Sequence, residues 1–578
     1  MEPTDGQRLG RSGDNAKPRR SKLATFAPMV IVVVVVAAVI VAVVASGGND
    51  KSKSSATTTK ASGSNTAEPK GVTSWVSAKA AGTTSKIDWG KRCDTSLGTL
   101  ALPIFPLQTC FAPFKGDNGG ATATGVTAST IKVVVYLPQA NDPVLKFIYA
   151  QINDTDTPDD TWATYQKYND MYAKYFETYG RKVQLIRFNA TGNIQDSVAA
   201  TADAETIAHD IQPFMVLGGP LLTNAFADTL AAAKVTCVSC APGQPDDWYN
   251  QRAPYVWDIQ KDTEQTQLMT AEYIGKRLAG RPAAYAGGDL KGKPRVFGYV
   301  HVVASDTDKQ LEQEFTSQLE TEYHVKFVDI ETYASPLDLA GSGRDLITRL
   351  KEKGVTSVVF AGDPLAPQTL TKVASQQDYT PEWIITGSAL VDTTAFARTY
   401  DQTEWSHAFG VSNLAARLDP NAAGSLYLYR WYYGTTAPAS HTAPVILPNI
   451  QFLYAPLQGV GPDLTPANLQ TTLFDSPVTP GTPISPQLSY GNHGIYPHTD
   501  HTAIDDQTEV WWDPTATGVD ELGKAGSGMY EYVDGGKRYF PGQWPKTAPA
   551  VFTKKGAVTI YAEPPANSKI PTDYTPMK

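Results

Sequence analysis

The chain has 578 residues, of which 42% are hydrophobic and 10% aromatic, and its 49 lysine and arginine residues against 58 aspartate and glutamate residues give a formal net charge of −9. This is the composition of a folded protein, and the length is too great for one hydrophobic core, so we expect at least two domains. The basic residues form no stripe, which argues against a nucleic-acid partner.

Residues 26–45 form an uncharged run made almost entirely of Val, Ala and Ile. A helix of that length spans about 30 Å, the thickness of the hydrocarbon core of a bilayer. Residues 1–25 carry six basic side chains and are expected to stay in the cytoplasm, which sends the rest of the chain outside. We therefore predict an uncleaved, single-pass anchor in the cell membrane with an extracytoplasmic C-terminal part. The alternative is a secreted protein released by cleavage of a signal peptide, but this run is longer than the usual hydrophobic region of such a peptide.

Residues 46–86 are rich in Ser, Thr, Ala, Gly and Lys, which predicts a flexible linker. The lead-in, residues 87–124, contains Cys93 and Cys110, and Cys237 and Cys240 follow in a Cys-Val-Ser-Cys phrase. In an oxidising compartment two local disulfides are the expected state of these four residues. A redox pair or a metal site at Cys237 and Cys240 stays open, although a reactive pair normally begins a helix and this one follows a strand.

Strands and helices alternate along the next part of the chain. Apolar runs predict strands at residues 131–137, 183–188, 214–217, 235–238 and 254–259. Helical spacing of apolar or aromatic residues predicts helices at residues 162–179, 204–211 and 221–233. Asp262, with Gln265 at the capping-box position, begins a further helix. Parallel strands need such helical connections.

A second series of the same plan starts at residue 295. It has predicted strands at residues 295–302, 325–330, 357–361 and 383–386, and helices around residues 311–319 and 344–353. Two consecutive units of this kind predict two lobes that face each other. We assign residues 125–292 and 413–503 to lobe 1, residues 293–412 and 504–543 to lobe 2, and residues 544–578 to a Pro-rich C-terminal tail.

The return to lobe 1 and the late strands also have local signals. Thr465 followed by Pro466 predicts the start of a helix in lobe 1. Residues 509–513 and 529–540 are late strands, and the second is predicted to be a hairpin around Asp534-Gly535-Gly536.

Four short phrases share the pattern of one known family. They are Gly125-Val126-Thr127 with Ile131-Lys132, Tyr179-Gly180-Arg181-Lys182-Val183, Val216-Leu217-Gly218-Gly219 and Ala271-Glu272-Tyr273-Ile274. They resemble the type I periplasmic-binding-protein-like family, the branched-chain amino acid and amide receptors of ABC transporters, and residues 356–412 follow its second lobe nearly element by element. The resemblance implies an α/β fold of two Rossmann-like lobes joined by multiple hinge crossovers, here preceded by one transmembrane helix.

The resemblance also implies a ligand site in the cleft, where strands end. In lobe 1 it points to Gly219, Leu221, Thr223, Cys240 and Ala241, and in lobe 2 to Asp306, Thr307, Gly362, Asp363 and Ser388. Each has a purely structural alternative, because the glycines can serve turns and Thr223 or Asp306 can cap helices.

The chain departs from the family at two of these places. Amino-acid receptors of the family hold the ligand's ammonium group with a Tyr-Gly pair and a later acidic residue, where this chain has Asp306-Thr307-Asp308 and Ser388-Ala389-Leu390. Asp363 is the acidic candidate that could receive a cation instead.

Catalytic motifs are sparse. The chain has no Gly-x-Ser-x-Gly elbow, no P-loop and no His-Glu-x-x-His motif. One cluster could hold Zn²⁺; it consists of His493, His498, His501, Asp500, Asp505 and Asp506. The surrounding Gly and Pro residues favour a surface loop without a metal, so we predict no cofactor, no metal and no enzymatic activity.

Binding without turnover fits these observations best. We expect an extracytoplasmic, membrane-anchored protein that captures a small polar solute, such as an amino acid or an amide, between two hinged lobes. Its partners would be an ABC permease or a membrane signalling protein. Two alternatives stay open: an interaction or scaffold module that kept the fold but lost the ligand, and a metal-dependent surface hydrolase that uses the histidine cluster.

Overall fold

The computed structural model of the protein describes residues 68–69, 71–303 and 305–578. The predicted cytoplasmic segment 1–25, the anchor 26–45 and the linker up to residue 67 lie outside the described residues. Within the described ranges, no helix combines the length and the apolar character needed to cross a bilayer.

The strands follow the predicted alternation with few shifts. In chain order they are β1 (Cys93–Asp94), β2 (Thr99–Leu100), β3 (Thr130–Leu137), β4 (Lys182–Asn189), β5 (Met215–Leu217), β6 (Thr236–Val238), β7 (Val256–Trp257), β8 (Phe297–Val302), β9 (Asp329–Tyr333), β10 (Ser357–Ala361), β11 (Glu382–Thr386), β12 (Ala408–Ser412), β13 (Arg417–Leu418), β14 (Gln507–Val519), β15 (Ala525–Tyr532), β16 (Arg538–Tyr539) and β17 (Ile560–Tyr561).

The helices occupy the connections between these strands. They are α1 (Trp75–Ala80), α2 (Pro143–Ile152), α3 (Pro158–Tyr175), α4 (Ser197–Thr206), α5 (Ala225–Ala232), α6 (Asp246–Asn250), α7 (Thr263–Tyr273), α8 (Asp306–Tyr323), α9 (Leu339–Glu352), α10 (Ala366–Gln376), α11 (Thr394–Ala397), α12 (Gln402–Trp405), α13 (Gly424–Tyr433), α14 (Ala443–Val460) and α15 (Pro466–Asp475).

The first lobe is built on a parallel sheet with strand order β4-β3-β5-β6-β7. Val133, Val134 and Val135 in β3 are completely buried, as expected for a central strand covered on both faces. Helices α4 and α5 cover one face, while α3, α13 and α14 cover the other with their aromatic residues. Strand β4, which we predicted to be buried, is the edge strand, and only its Val183 is buried.

The second lobe is built on a larger sheet with strand order β15-β14-β12-β11-β10-β8-β9. Strands β8 to β12 are parallel, and β14 joins β12 in the antiparallel direction. The predicted hairpin around residues 534–536 is wrong, because β16 pairs with β14 and the hairpin is formed by β14 and β15. Helices α7 and α8 pack on one face, and α9 and α10 pack on the other.

Between β3 and β16 of the described chain, three segments cross between the lobes. The first crossing is residues 258–262 after β7, the second is residues 413–423 after β12, and the third is residues 500–506 before β14. Helix α7 packs with the second lobe, although it precedes residue 293, where we predicted that lobe to begin. The expected architecture of two α/β lobes joined by several crossings is thus present.

Both ends of the described chain are integrated into the fold. The side chain of Ala78 in α1 is buried in the first-lobe core, so the flexible-linker prediction does not hold for residues 71–86. In the C-terminal tail, Trp544 is buried in the second-lobe core. Strand β17 then pairs with β13, and the Met577 amide donates to the hydroxyl of Tyr175 in the first lobe. The tail therefore contacts both lobes.

The two predicted disulfides are present. The sulfur atoms of Cys93 and Cys110 are at bonding distance, as are those of Cys237 and Cys240. The first disulfide joins β1 to the loop that follows β2, and the second joins Cys237 in β6 to Cys240 just after the strand. All four cysteines therefore serve as local cross-links.

A buried ion pair lies at the amino-terminal edge of the second sheet. The guanidinium of Arg295 donates from Nε and Nη2 to the two carboxylate oxygens of Glu382, each at 2.9 Å. The hydroxyl of Ser357 donates to the same carboxylate at 2.6 Å. The side chains of Arg295 and Glu382 are 2% and 0% exposed, so neither charge can be compensated by water.

We expect Arg295→Met to lower the free energy of unfolding by about 3–5 kcal/mol, because Glu382 would remain buried without its counter-charge. Urea denaturation measures this change. The matched control is Lys309→Met, which breaks an ion pair with Asp306 that lies in solvent and should leave stability unchanged. Equal effects of the two substitutions would contradict a structural role for the buried pair.

Candidate functional site

A cavity of about 420 Å³ lies between the lobes at the carboxyl ends of β8, β10 and β11. We call it the first cavity. Lobe 1 contributes Leu221–Asn224 and Pro242–Gln244 from the loops after β5 and β6, and the crossings contribute Lys261, Asp262 and Asn413. Crevices beyond the carboxyl ends of parallel strands are where α/β proteins bind ligands.

The structure brings six of the ten predicted site residues to this cavity. They are Leu221, Thr223, Thr307, Gly362, Asp363 and Ser388. Cys240 and Ala241 are buried and are absent from the lining, and Asp306 is exposed to solvent. A ligand-binding role for the six lining residues stays a prediction.

Asp306 and Asp308 lie in the first turn of α8 and form local contacts there. The hydroxyl of Ser305 accepts from the Asp308 amide at 3.2 Å, and the Ser305 amide donates to the Asp308 carboxylate at 2.8 Å. This capping box fixes the first turn of the helix. Asp306 then projects outward and pairs with Lys309 at 2.8 Å, so it faces away from the cleft.

Asp363 is occupied by hydrogen bonds inside the second lobe. The hydroxyl of Tyr333 donates to its Oδ2 at 2.7 Å, and the amides of Leu365 and Ala366 donate to its Oδ1 at 2.9 and 3.0 Å. These bonds fix the start of α10. Burial raises the pKa of the Asp363 carboxyl to about 6. The residue is therefore a structural acceptor here and offers no free carboxylate to a cation.

Gly219 and the Cys237–Cys240 disulfide are linked by close packing. A Cβ atom on Gly219 would lie 3.0 Å from Cα, Cβ and the carbonyl oxygen of Cys240. The disulfide-bonded loop therefore leaves no room for a side chain at this position. Gly219 itself lines a neighbouring cavity, described below.

Sequence reasoning missed several polar residues that line the first cavity. They are Gln260, Lys261, Thr266, Gln267, Thr270, Tyr299, His301 and Asn413. Tyr299 and His301 are two residues apart in β8. Residues at this spacing share one face of a strand, so the sequence could have predicted that both side chains point to the same side of the sheet. Their rings are stacked with centroids 4.4 Å apart.

The polar groups at the base of the cavity are bonded to one another. The side-chain amide of Asn413 donates to the hydroxyl of Thr266 at 3.0 Å and to the backbone carbonyl of Gly387 at 3.2 Å. The Gly362 amide donates to the hydroxyl of Ser388 at 3.1 Å. Hydroxyl and amide groups of this kind can exchange partners with a polar ligand.

The basic residues of the lining are also engaged. Lys261 donates to the hydroxyl of Tyr496 at 2.7 Å, and burial lowers its pKa to about 7. Nε2 of His301 lies 2.9 Å from the Glu312 carboxylate, and burial lowers the pKa of this imidazole.

The predicted histidine cluster does not assemble. His493 and His498 are exposed, whereas His501 is buried against Trp257. Asp500, Asp505 and Asp506 are likewise buried, so the predicted surface loop is wrong for residues 500–506, which form the third crossing. Among the described residues, the three imidazoles do not meet in any group placed to bind a metal.

A second cavity, of about 380 Å³, lies beside the first, and both are lined by Leu221, Leu390 and Leu414. It is the more apolar of the two, and Gly219 is part of its lining. Its walls come from both lobes, with α2 and α14 on one side and α11 and the loop around Leu522 on the other.

Helix α2 of the first lobe packs against the second lobe beside this cavity. Its apolar residues Val144, Leu145, Ile148 and Ile152 belong to the hydrophobic cluster of the second lobe. The side-chain amide of Gln368 in α10 also donates to the side-chain oxygen of Gln151 in α2 at 3.3 Å. On this side the lobes are in direct contact.

We expect Ile148→Ala to favour a more open arrangement, because it removes about 2–5 kcal/mol of buried contacts at a residue that is 0% exposed between the lobes. Small-angle scattering should show a larger radius of gyration with unchanged circular dichroism. Val198→Ala, at a position 79% exposed on α4, is the control. Identical scattering curves for both variants and the parent would contradict a closing role for α2.

Asp363 generates a prediction about pH. Its folded-state pKa of about 6 lies above the ordinary 3.8, so its favourable contribution is complete below the ordinary pKa and is lost as pH rises through about 6. Asp363→Asn should therefore reduce the fall in unfolding free energy between about pH 4 and pH 7 by up to about 3 kcal/mol. Denaturation of both proteins across this range is the measurement, and parallel pH profiles would contradict the prediction.

Comparisons with known proteins find no matching family model and no matching curated protein. Similar solved structures exist. One is the solute binding protein of an ABC transporter from Rhodopseudomonas palustris HaA2 in complex with p-hydroxybenzoic acid, with 14% identity and a TM-score of 0.48 over 69% of this chain and 95% of that one. Another is the branched-chain amino acid transporter substrate binding protein LivJ from Streptococcus pneumoniae in complex with isoleucine, with 13% identity and a TM-score of 0.46 over 70% and 100% of the two chains.

A third is the fatty acid ABC transporter substrate-binding protein from Thermomonospora curvata, with 11% identity and a TM-score of 0.47 over 74% of this chain and 95% of that one. All three are substrate- or solute-binding proteins of ABC transporters. The chain is similar to proteins of this kind.

Proposed function

We propose that the chain is an extracytoplasmic solute-binding protein that captures a small polar solute in the first cavity. The observation that carries the proposal is the cavity itself, because it lies where the carboxyl ends of the second sheet face loops that follow β5 and β6 of the first. Two lobes joined by three crossings can enclose a solute by hinge motion. With the lobes closed further over it, the cavity would hold the bound molecule away from bulk water.

The lining favours a solute that is held by hydrogen bonds over one held by ion pairs. Thr266, Thr270, Ser388 and Asn413 offer hydroxyl and amide groups, whereas Asp363 and Lys261 are committed to Tyr333 and Tyr496. Among the residues that replace the family's ammonium grip, Asp308 lines the cavity, but its carboxylate accepts from the amide and the hydroxyl of Ser305. An amide or a similar uncharged compound therefore fits better than an α-amino acid.

The segment before the described residues supports the rest of the proposal. Residues 26–45 would anchor the lobes at the cell membrane, and the linker would keep them at high local concentration near an ABC permease or a signalling partner. Retention of the full chain in the membrane fraction after an alkaline wash would support this anchor, and release of the chain into the wash would contradict it.

One observation favours a second candidate function. The apolar contact between α2 and the second lobe would resist opening, as expected for an interaction module that no longer admits a solute. A solute screen separates the two candidates.

The screen measures the melting temperature of the purified full chain with amides, urea, amino acids and short peptides. A solute at 100 times its dissociation constant should stabilise the protein by about 2.7 kcal/mol. Ala361→Phe should abolish the shift, because Ala361 lies at the end of β10 in the cavity wall and the ring would fill the space.

Ala340→Phe, on the exposed surface of α9, is the matched control and should respond to the solute as the parent does. A ligand that stabilises the Ala361→Phe protein equally binds elsewhere. A screen in which no solute shifts the parent protein would favour the interaction module.

A further inference from the structure

Three carboxylates are buried together where two crossings leave the first lobe. Asp246 is the first residue of α6, Asp262 ends the first crossing, and Asp500 begins the third. One oxygen atom of each lies within 4.8 Å of the others. The residues are 1%, 0% and 3% exposed, so water does not screen their charges.

Two oxygen atoms in this group lack a hydrogen-bond donor among the described residues, although the carboxyl groups of Asp246 and Asp262 are close enough to share a proton. Oδ1 of Asp262 accepts from the Gln265 amide at 2.7 Å, and Oδ1 of Asp500 accepts from the amide and hydroxyl of Thr502 at 2.7 and 2.8 Å. The Oδ2 atoms of Asp262 and Asp500 are buried without a hydrogen-bond partner among the described residues. Burying such an atom is costly unless something binds it.

The basic groups near the cluster compensate its charge only in part. Lys261 acts on Asp262 and His498 acts on Asp246, but both have other partners. Asp247 and Glu264, the charged neighbours of the cluster, are also acidic, and the exposed His498 lies 4.0 and 3.9 Å from them. The buried cations of the crossings are engaged elsewhere, Lys261 with Tyr496 and Arg538 with Asp506. Burial, and then the neighbouring carboxylates, raise the pKa of Asp262 and Asp500. The cluster therefore needs either protons or a bound cation.

We propose that Asp246, Asp262 and Asp500 bind a divalent cation, and that the ion is calcium. Carboxylates are the preferred ligands of such hard cations. Calcium binds oxygen at 2.3–2.6 Å, so two ligands on opposite sides of the ion are about 4.6–5.2 Å apart and adjacent ligands are closer. The oxygen atoms are close enough to surround one such ion. Magnesium dehydrates reluctantly and usually keeps several waters, whereas these carboxylates are buried, so calcium fits the cluster better.

The ion would connect three separate parts of the chain. It would join α6 of the first lobe to the first and third crossings, through Asp246, Asp262 and Asp500 respectively. The side chains of Gln265 and Thr502 lie at the edge of the group and can add oxygen ligands. Because the crossings set the relation between the lobes, calcium would stiffen the hinge.

The alternative source of neutrality is a proton shared among the carboxylates. A second acidic group, formed by Asp154, Asp156 and His441, provides an internal comparison. There Oδ2 of Asp156 already accepts from the amide and hydroxyl of Thr442 at 2.7 and 2.8 Å, so we expect no ion at that place.

Calorimetric titration of the full chain with calcium chloride, after dialysis against chelator, tests the proposal. We expect one calcium ion per chain, weaker magnesium binding and a higher melting temperature with calcium. Asp262→Asn should weaken calcium binding by about tenfold or more because a charged ligand is lost, while asparagine still caps α7. Asp500→Asn should have the same effect, and Asp156→Asn should bind calcium as the parent does.

Three results would overturn the proposal: no calcium heat with the parent protein at millimolar concentration, unchanged binding by the Asp262→Asn and Asp500→Asn variants, or loss of binding in Asp156→Asn alone. The first result would assign the cluster to shared protons. Circular dichroism establishes that each variant is folded, and the titration of the parent is decisive even where one variant does not fold. Calcium is titrated without solute, so the solute screen can fail while this proposal stands.

Discussion

The relation between the lobes depends on hydrogen bonds among the three crossings. The Gln507 side-chain amide donates to Asn413 at 3.0 Å, which joins the second crossing to the end of the third. The Arg538 guanidinium reaches both Asp506 and the carbonyl of Asn413. Irregular segments cannot satisfy their own backbone, so buried side chains must do it. A buried hydrogen-bond network of this kind favours one geometry, and residues of the crossings line both cavities.

Local signals were enough to predict most of the elements. Strand β10 begins and ends where its apolar run does, and the Thr465 hydroxyl caps α15 by accepting from the Asn468 amide, as the Thr-Pro phrase indicates. The strand predicted at residues 325–330 is displaced, because β9 spans Asp329–Tyr333. Val325 and Phe327 are buried, but they lie in the segment that precedes the strand. An apolar run shows that residues are buried, but the register of a strand is set by its partner, here β8.

The candidate site was predictable only where it follows from strand ends. Gly362 and Ser388 lie at the cavity because parallel strands end on the same side of a sheet. The direction of the Asp306 side chain depends instead on how the first turn of α8 is capped. The acidic segment 500–506 was predicted to be a surface loop. It is buried, because polar residues from distant parts of the chain, such as Gln265, contact it. Single-sequence patterns carry no information on such pairing.

Closure and binding make opposing demands on this fold. Opening the lobes exposes the apolar face of α2, and each large side chain such as Leu145 or Ile148 contributes about 1.5–3 kcal/mol against that exposure. A solute can shift the protein from an open to a closed state only if it binds the closed state more tightly than the open one. Because α2 lies beside the second cavity, it favours closure whether or not the first cavity is filled. Under the proposed function, a solute would enter from the side of the cleft opposite α2, or after the hinge at the crossings has yielded.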